Sequence, residues 1–175
     1  SKTAVKRILI PLLSRLKTHL ICIIMAKRRP TPCVGICSTT FGDLVCRGCQ
    51  RYAHEIVQWN GYDEDQHQRV WQRLKGLRDQ VLAQMVLCAD PRSFGDYCQS
   101  AGLAELEGSD QMYAVLAHLA QNMGSLKAAG LAFSEEWQPE QLTTETDSLA
   151  ALQMLDTESY VRAEAHYERN YKVTV

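Results

Sequence analysis

Pro32-Cys33-Val34-Gly35-Ile36-Cys37 and, eight residues later, Cys46-Arg47-Gly48-Cys49-Gln50-Arg51 decide the reading of this chain. The spacing C-x3-C-x8-C-x2-C sets two short loops side by side, each offering two sulfurs. Such paired clustering is the pattern of a metal site, because four thiolates can close on one ion or cluster. All four sulfurs, Cys33, Cys37, Cys46 and Cys49, are therefore expected to converge on one centre. Gly35 lies inside the first pair and Gly48 inside the second. Glycine at these positions lets backbone amides turn toward sulfur and stabilise its charge. Arg47 and Arg51 flank the second pair, where positive charge offsets that of a tetrathiolate. Zinc accepts four thiolates at spacings near these, and so does an Fe–S cluster.

Pro30, Pro32, Gly35, Gly42 and Gly48 make residues 30–50 loop-rich. The loop holds few large apolar residues: Val34, Ile36, Phe41, Leu44 and Val45. It is too poor in them to fold alone, so metal–thiolate bonds are expected to hold it. Leu44 and Val45 suggest a small hairpin arm within it.

The rest of the chain reads as helix. Tyr52, Ile56 and Trp59 share one helical face, and Asn60-Gly61 makes a good stop. Asp63-Glu64-Asp65 opens a longer helix whose buried stripe is Val70, Trp71, Leu74, Leu77, Val81, Leu82 and Met85, closed by Pro91. Trp59 and Trp71 are expected to face a shared core. A short helix follows around Phe94–Cys98. Ser109 is expected to cap a segment carrying Met112, Val115, Leu116 and Leu119, and Ser134 to cap a turn containing Trp137. Asp147 and Asp156 read as caps of two final helices. Strand signals are nearly absent. The expected fold is mainly α: a cysteine-rich metal knuckle, a helical hairpin, and an acidic helical extension. The expected divisions are a basic extension at 1–24, a four-cysteine module at 25–87 and an acidic helical region at 88–175.

Charge is distributed unevenly. Residues 1–30 hold eight Lys/Arg and no Asp/Glu, whereas residues 81–175 hold five basic and fourteen acidic residues. The acidic body argues against an extended nucleic-acid surface there, since phosphate binding needs clustered Lys/Arg. The basic head reads as an upstream extension, with the working chain starting at Met25 and residues 1–24 dispensable. No run of 18 apolar residues exists, so no membrane span is expected. Seven cysteines cannot pair fully within one chain, which fits a reducing compartment and a cytoplasmic location.

The motif residues extend past the cysteines. Glu55, Ile56 and Trp59, then Arg69, Val70 and Leu74, complete a pattern that resembles a bacterial domain-of-unknown-function family, number 1289, over about residues 31–77. Members of that family are commonly labelled predicted Fe–S proteins. The resemblance carries Cys33, Cys37, Cys46 and Cys49 over as ligands and marks Arg51, Glu55 and Trp59 as part of the motif without giving them roles. With it counted, an Fe–S cluster is the expected cofactor and zinc the alternative.

The other candidate groups read blandly. His54 sits near Cys49 but is expected on a helix surface, because four thiols already complete a site. His67 is expected to be solvated. His118 and His166 have no ligand at coordinating spacing. Cys22, Cys88 and Cys98 are expected to be free thiols or small core residues. No P-loop, dinucleotide fingerprint or nucleophile motif is present. Two functions remain: an electron-transfer or redox-sensing accessory to a protein partner, or a zinc-stabilised interaction adaptor. Self-contained catalysis is the least expected, because no acid–base or nucleophile constellation accompanies the cysteines.

Overall fold

The computed structural model describes residues 31–35, 37–137 and 147–171. The basic head, including Cys22, lies outside the described residues. The described chain is mainly α, as its periodicity predicts. It contains five α-helices: α1 (Ala53–Gln58), α2 (Glu64–Met85), α3 (Pro91–Ser100), α4 (Gly108–Gln121) and α5 (Asp147–Tyr171). Two three-residue strands, β1 (Val86–Cys88) and β2 (Leu131–Phe133), complete it. Among the described residues no helix is long and apolar enough to cross a membrane.

The chain forms two compact units: residues 82–153, and residues 31–81 together with the chain from Met154 onward. In the first, α4 is the central element. Its residues Tyr113 to Ala117, Leu119 and Ala120 are all buried, a nearly continuous apolar surface rather than one stripe. Leu82, Met85, Val86, Leu103, Leu126, Leu131 and Leu152 are buried in the same unit. β1 and β2 pair antiparallel, with Val86 opposite Phe133 and Cys88 opposite Leu131. The start of α5 is tied down by two polar bonds. Leu126 N–H donates to Asp147 Oδ1 at 3.0 Å, and Ser148 Oγ donates to the Gly124 carbonyl at 2.5 Å.

Several local expectations are corrected here. Pro91 does not close α2; it opens α3, where its missing N–H costs nothing. Asp90 caps that helix, its carboxylate accepting from the N–H groups of Arg92 and Ser93. Helix α2 ends at Met85 because the next three residues leave as β1 to pair with a strand some 45 positions away. Glu107, one residue before α4, takes the cap position expected of Ser109 and makes no side-chain cap bond. Ser134 does precede the turn with Trp137, but its carbonyl accepts from Trp137 N–H while its hydroxyl reaches the Gln84 carbonyl. The two expected final helices are one. Asp156-Thr157 contains no Gly or Pro to break the hydrogen-bond ladder, so α5 runs uninterrupted for 25 residues.

Gly130 joins a short 3₁₀ turn to β2 at φ +65°, with its carbonyl accepting from both Ala89 and Asp90 N–H. A Cβ there would stand 2.3 Å from the Asp90 carbonyl oxygen and 3.1 Å from Phe94 N. Gly130→Ala therefore meets backbone that cannot yield, on top of roughly 1–3 kcal/mol for a left-handed non-glycine. A marked fall in the thermal midpoint is expected; an unchanged midpoint would show that this corner relaxes freely.

In the second unit the cysteine segment packs on α5. Val45, Tyr52 and Ala163 form its buried centre, with Leu77, Tyr160 and Tyr167 against them. Tyr52 is fully buried, and its ring meets Tyr167 edge-on at 5.1 Å.

Candidate metal centre

The second cysteine pair sits in a tight turn. Val45 and Tyr52 pair as an isolated antiparallel bridge, the small hairpin arm expected at Leu44–Val45. Inside it Cys46 N–H donates to the Arg51 carbonyl at 2.9 Å, and Gln50 N–H to the Cys46 carbonyl at 2.8 Å. The left-handed residue that closes the turn is Gln50, at φ 58°. Gly48 does not take that left-handed conformation. Interaction with its neighbour Cys49 pulls the Cys46 pKa well below the usual thiol range, and the same interaction, with burial, pushes that of Cys49 up.

The first pair is held by local bonds. Cys37 precedes the 3₁₀ turn Ser38–Phe41 and places its Sγ 2.9 Å from Thr39 Oγ1. Cys33 N–H donates to Thr31 Oγ1 at 3.4 Å. Gly35, at φ +115°, supplies a backbone conformation that few other residues adopt. The two loops abut, since Arg47 N–H donates to Ser38 Oγ at 2.9 Å. Cys46 and Cys49 lie buried in the one turn. Cys33 and Cys37 do not complete a set with them: among the described residues, no three Cys, His, Asp or Glu side chains gather as ligands.

Three arginines surround the turn, each with a different partner. Arg47 is exposed, pairs with Asp43 at 2.9 Å and lies over the Tyr160 ring at 5.3 Å. Arg51 is 4% exposed, its Nε donating to Cys49 Sγ at 3.4 Å and its guanidinium stacked 4.7 Å from the centre of the Trp59 ring. Arg73, from α2, bonds Glu55 at 2.6 Å, reaches the Gln50 carbonyl at 3.4 Å and covers the Tyr52 ring at 3.9 Å. Glu55 is buried, and its other duty is to accept from Tyr52 N–H at 2.9 Å, which caps α1. Glu55 and Trp59 thereby acquire roles: one anchors Arg73 and the helix start, the other floors Arg51.

Arg73 is the residue that sequence reading missed. Its signal was present, because a cation at position 73 falls within the stripe Val70, Leu74, Leu77. The histidines also find structural partners. His67 packs 4.4 Å from Trp59 and bonds its carbonyl, so it is not simply solvated. Tyr52 Oη lies 2.7 Å from His166 Nδ1, and Tyr97 Oη lies 2.8 Å from His118 Nδ1. His54 stacks among Tyr52, Tyr167 and Tyr171. Trp71 is only half-buried, unlike Trp59. Cys88 is exposed and Cys98 buried, both as free thiols.

The donors are soft, four thiols of the kind that thiophilic ions take, but the described residues do not bring three of them together. Residues 31–78, which run from the first cysteine loop past Arg73, match the family model described as Protein of unknown function (DUF1289). No curated protein and no solved structure matches the chain.

Proposed function

We propose that residues 31–81 form a four-thiolate metal module, holding an Fe–S cluster through Cys33, Cys37, Cys46 and Cys49, that serves a protein partner as an electron-transfer or redox-sensing accessory. The observation that supports it best is the tight turn Cys46–Arg51, which buries Cys46 and Cys49 and brings Arg51 Nε–H to the Cys49 sulfur at 3.4 Å. Hydrogen bonds to sulfur tune the potential of such clusters. When bound, the cluster supplies one-electron chemistry. The chain's own residues hold the ligands and exclude water: Arg73 and Glu55 brace the turn, and Trp59 covers Arg51.

A zinc-stabilised interaction adaptor is the second reading. It is favoured by Phe41, Leu44 and Val57, large apolar side chains of the module that stand 85%, 52% and 84% exposed. Surface of this kind suits a protein partner. Metal analysis and an absorption spectrum of the full chain, purified without oxygen, separate the two. Iron with acid-labile sulfide and visible charge-transfer bands is the expected result. A colourless protein holding stoichiometric zinc transfers the conclusion to the adaptor, and a metal-free protein overturns both.

A further inference from the structure

The family match ends at residue 78, and the unit of residues 82–153 beyond it holds a cavity of about 560 Å³. All three residues of β2, Leu131, Ala132 and Phe133, line it. Successive side chains of a strand point to opposite faces, so a wall made of three in a row is the strand's edge and not one of its faces. Hydrogen bonds identify which edge. Ser134 N–H donates to the Met85 carbonyl and Ala89 N–H to the Gly130 carbonyl, and Leu87 stands opposite Ala132 between them. Bonded positions alternate in an antiparallel pair. Gly130, Ala132 and Ser134 therefore face β1, while Leu131 and Phe133 turn their N–H and C=O groups the other way. Among the described residues nothing bonds those outward groups. Leu131 is nevertheless only 3% exposed, and buried main-chain groups without partners carry a free-energy penalty.

The rest of the wall defines what pairs there. Leu126 adds apolar surface, while Asp90, Asp147 and Lys127 bring two carboxylates and one amine. Among the described residues no cation pairs with Asp147. Its carboxylate accepts Leu126 N–H at 3.0 Å, and burial pushes its pKa up, as for a carboxyl short of a counter-charge. The cavity lies in a strongly acidic stretch, residues 81–175, with five basic and fourteen acidic residues. We propose that the outward edge of β2 is a docking site for an extended, basic segment of a partner protein, which joins the sheet as a third strand. An apolar side chain of that segment rests against Leu126, and a lysine or arginine faces Asp147. Main-chain bonds to Leu131 and Phe133 supply affinity, and the cavity with its carboxylates selects the side chains. A helical segment has already spent its main-chain groups internally and cannot serve this edge. The site uses none of the cysteines and stands independently of the metal reading.

The test is fluorescence anisotropy of a short labelled peptide rich in valine and lysine, titrated with the full chain. Saturable binding is expected. Phe133→Pro removes one outward N–H and keeps the bonds to β1, because proline is tolerated where a strand's N–H faces away from its neighbour. It is expected to bind roughly tenfold more weakly than Phe133→Ala, which keeps that N–H. The same peptide with N-methyl groups along its pairing edge is expected to lose binding to the wild type, a readout that does not depend on how any variant folds. Asp147→Asn keeps an oxygen for Leu126 N–H and removes the charge, and is expected to weaken binding by roughly 2–10-fold. No saturable binding by the wild type overturns the proposal. So does an N-methylated peptide that binds as well as its parent, an Asp147→Asn variant as tight as wild type, or a glutamate-for-lysine peptide that binds equally. Concentration-dependent self-association of the wild type, abolished by Phe133→Pro, gives the edge to a second copy and overturns it as well.

Discussion

Cys46→Ser is expected to abolish stoichiometric metal binding and to strip amide-exchange protection from residues 44–52, while α4 and the first turns of α5 keep theirs. Cys46 is 1% exposed, in the turn closed by its own N–H on the Arg51 carbonyl and by Gln50 N–H on its carbonyl. A serine hydroxyl is smaller and cannot serve as a soft ligand. Apolar burial offers little to compensate. Of the five large apolar residues between Thr31 and Gln50, only Val45 belongs to the described buried core, while Phe41 and Leu44 are exposed. The unit built around α4 carries a dense core of its own, so it has no such dependence. Unchanged protection across 44–52 would show that the centre is not structural. Loss of protection through α4 as well would show that the chain unfolds as a single cooperative whole.

Arg73→Ala carries the second large effect. Arg73 is largely buried, and removing it leaves Glu55 as a buried carboxylate without its cation. Breaking one side of a buried pair costs about 3–5 kcal/mol. At 1.4 kcal/mol per factor of ten, the slowest amides of residues 44–58 are expected to lose roughly a factor of 100–1,000 in protection. The same substitution uncovers the Tyr52 ring and frees the Gln50 carbonyl, the left-handed corner of the cysteine turn. Pairing Arg73→Met with Glu55→Gln removes both charges and is expected to restore part of the loss, because the uncompensated carboxylate goes with it. A single Arg73→Ala variant that loses less than a factor of ten would show that Glu55 finds another partner or water.

The second prediction is also where sequence and structure part company. Arg51, Glu55 and Trp59 are legible as motif members from their fixed distances to the cysteines, yet nothing local says which of them touches sulfur. Arg73 lies 22 positions from Arg51, and its role depends on α2 returning alongside the turn. The same holds for His166, whose partner Tyr52 is 114 positions away. Side chains that pair across such distances leave no periodic trace in the chain.

What the sequence determined by itself was local. The two cysteine pairs, the apolar spacing that makes α1, α2 and α4, and the absence of a breaker through α5 are properties of neighbours a few residues apart, where helix geometry repeats every 3.6 residues. The tertiary structure alone decided three things. It ended α2 at Met85 by giving Val86–Cys88 a partner in Leu131–Phe133, a pairing too short to announce itself by alternation. It turned Pro91 from a stop into a start, because the chain had already left α2 before reaching it. And it sorted three similar arginines into an exposed ion pair, a buried ion pair and a cation facing sulfur, since a guanidinium takes whichever acceptor the fold sets within reach.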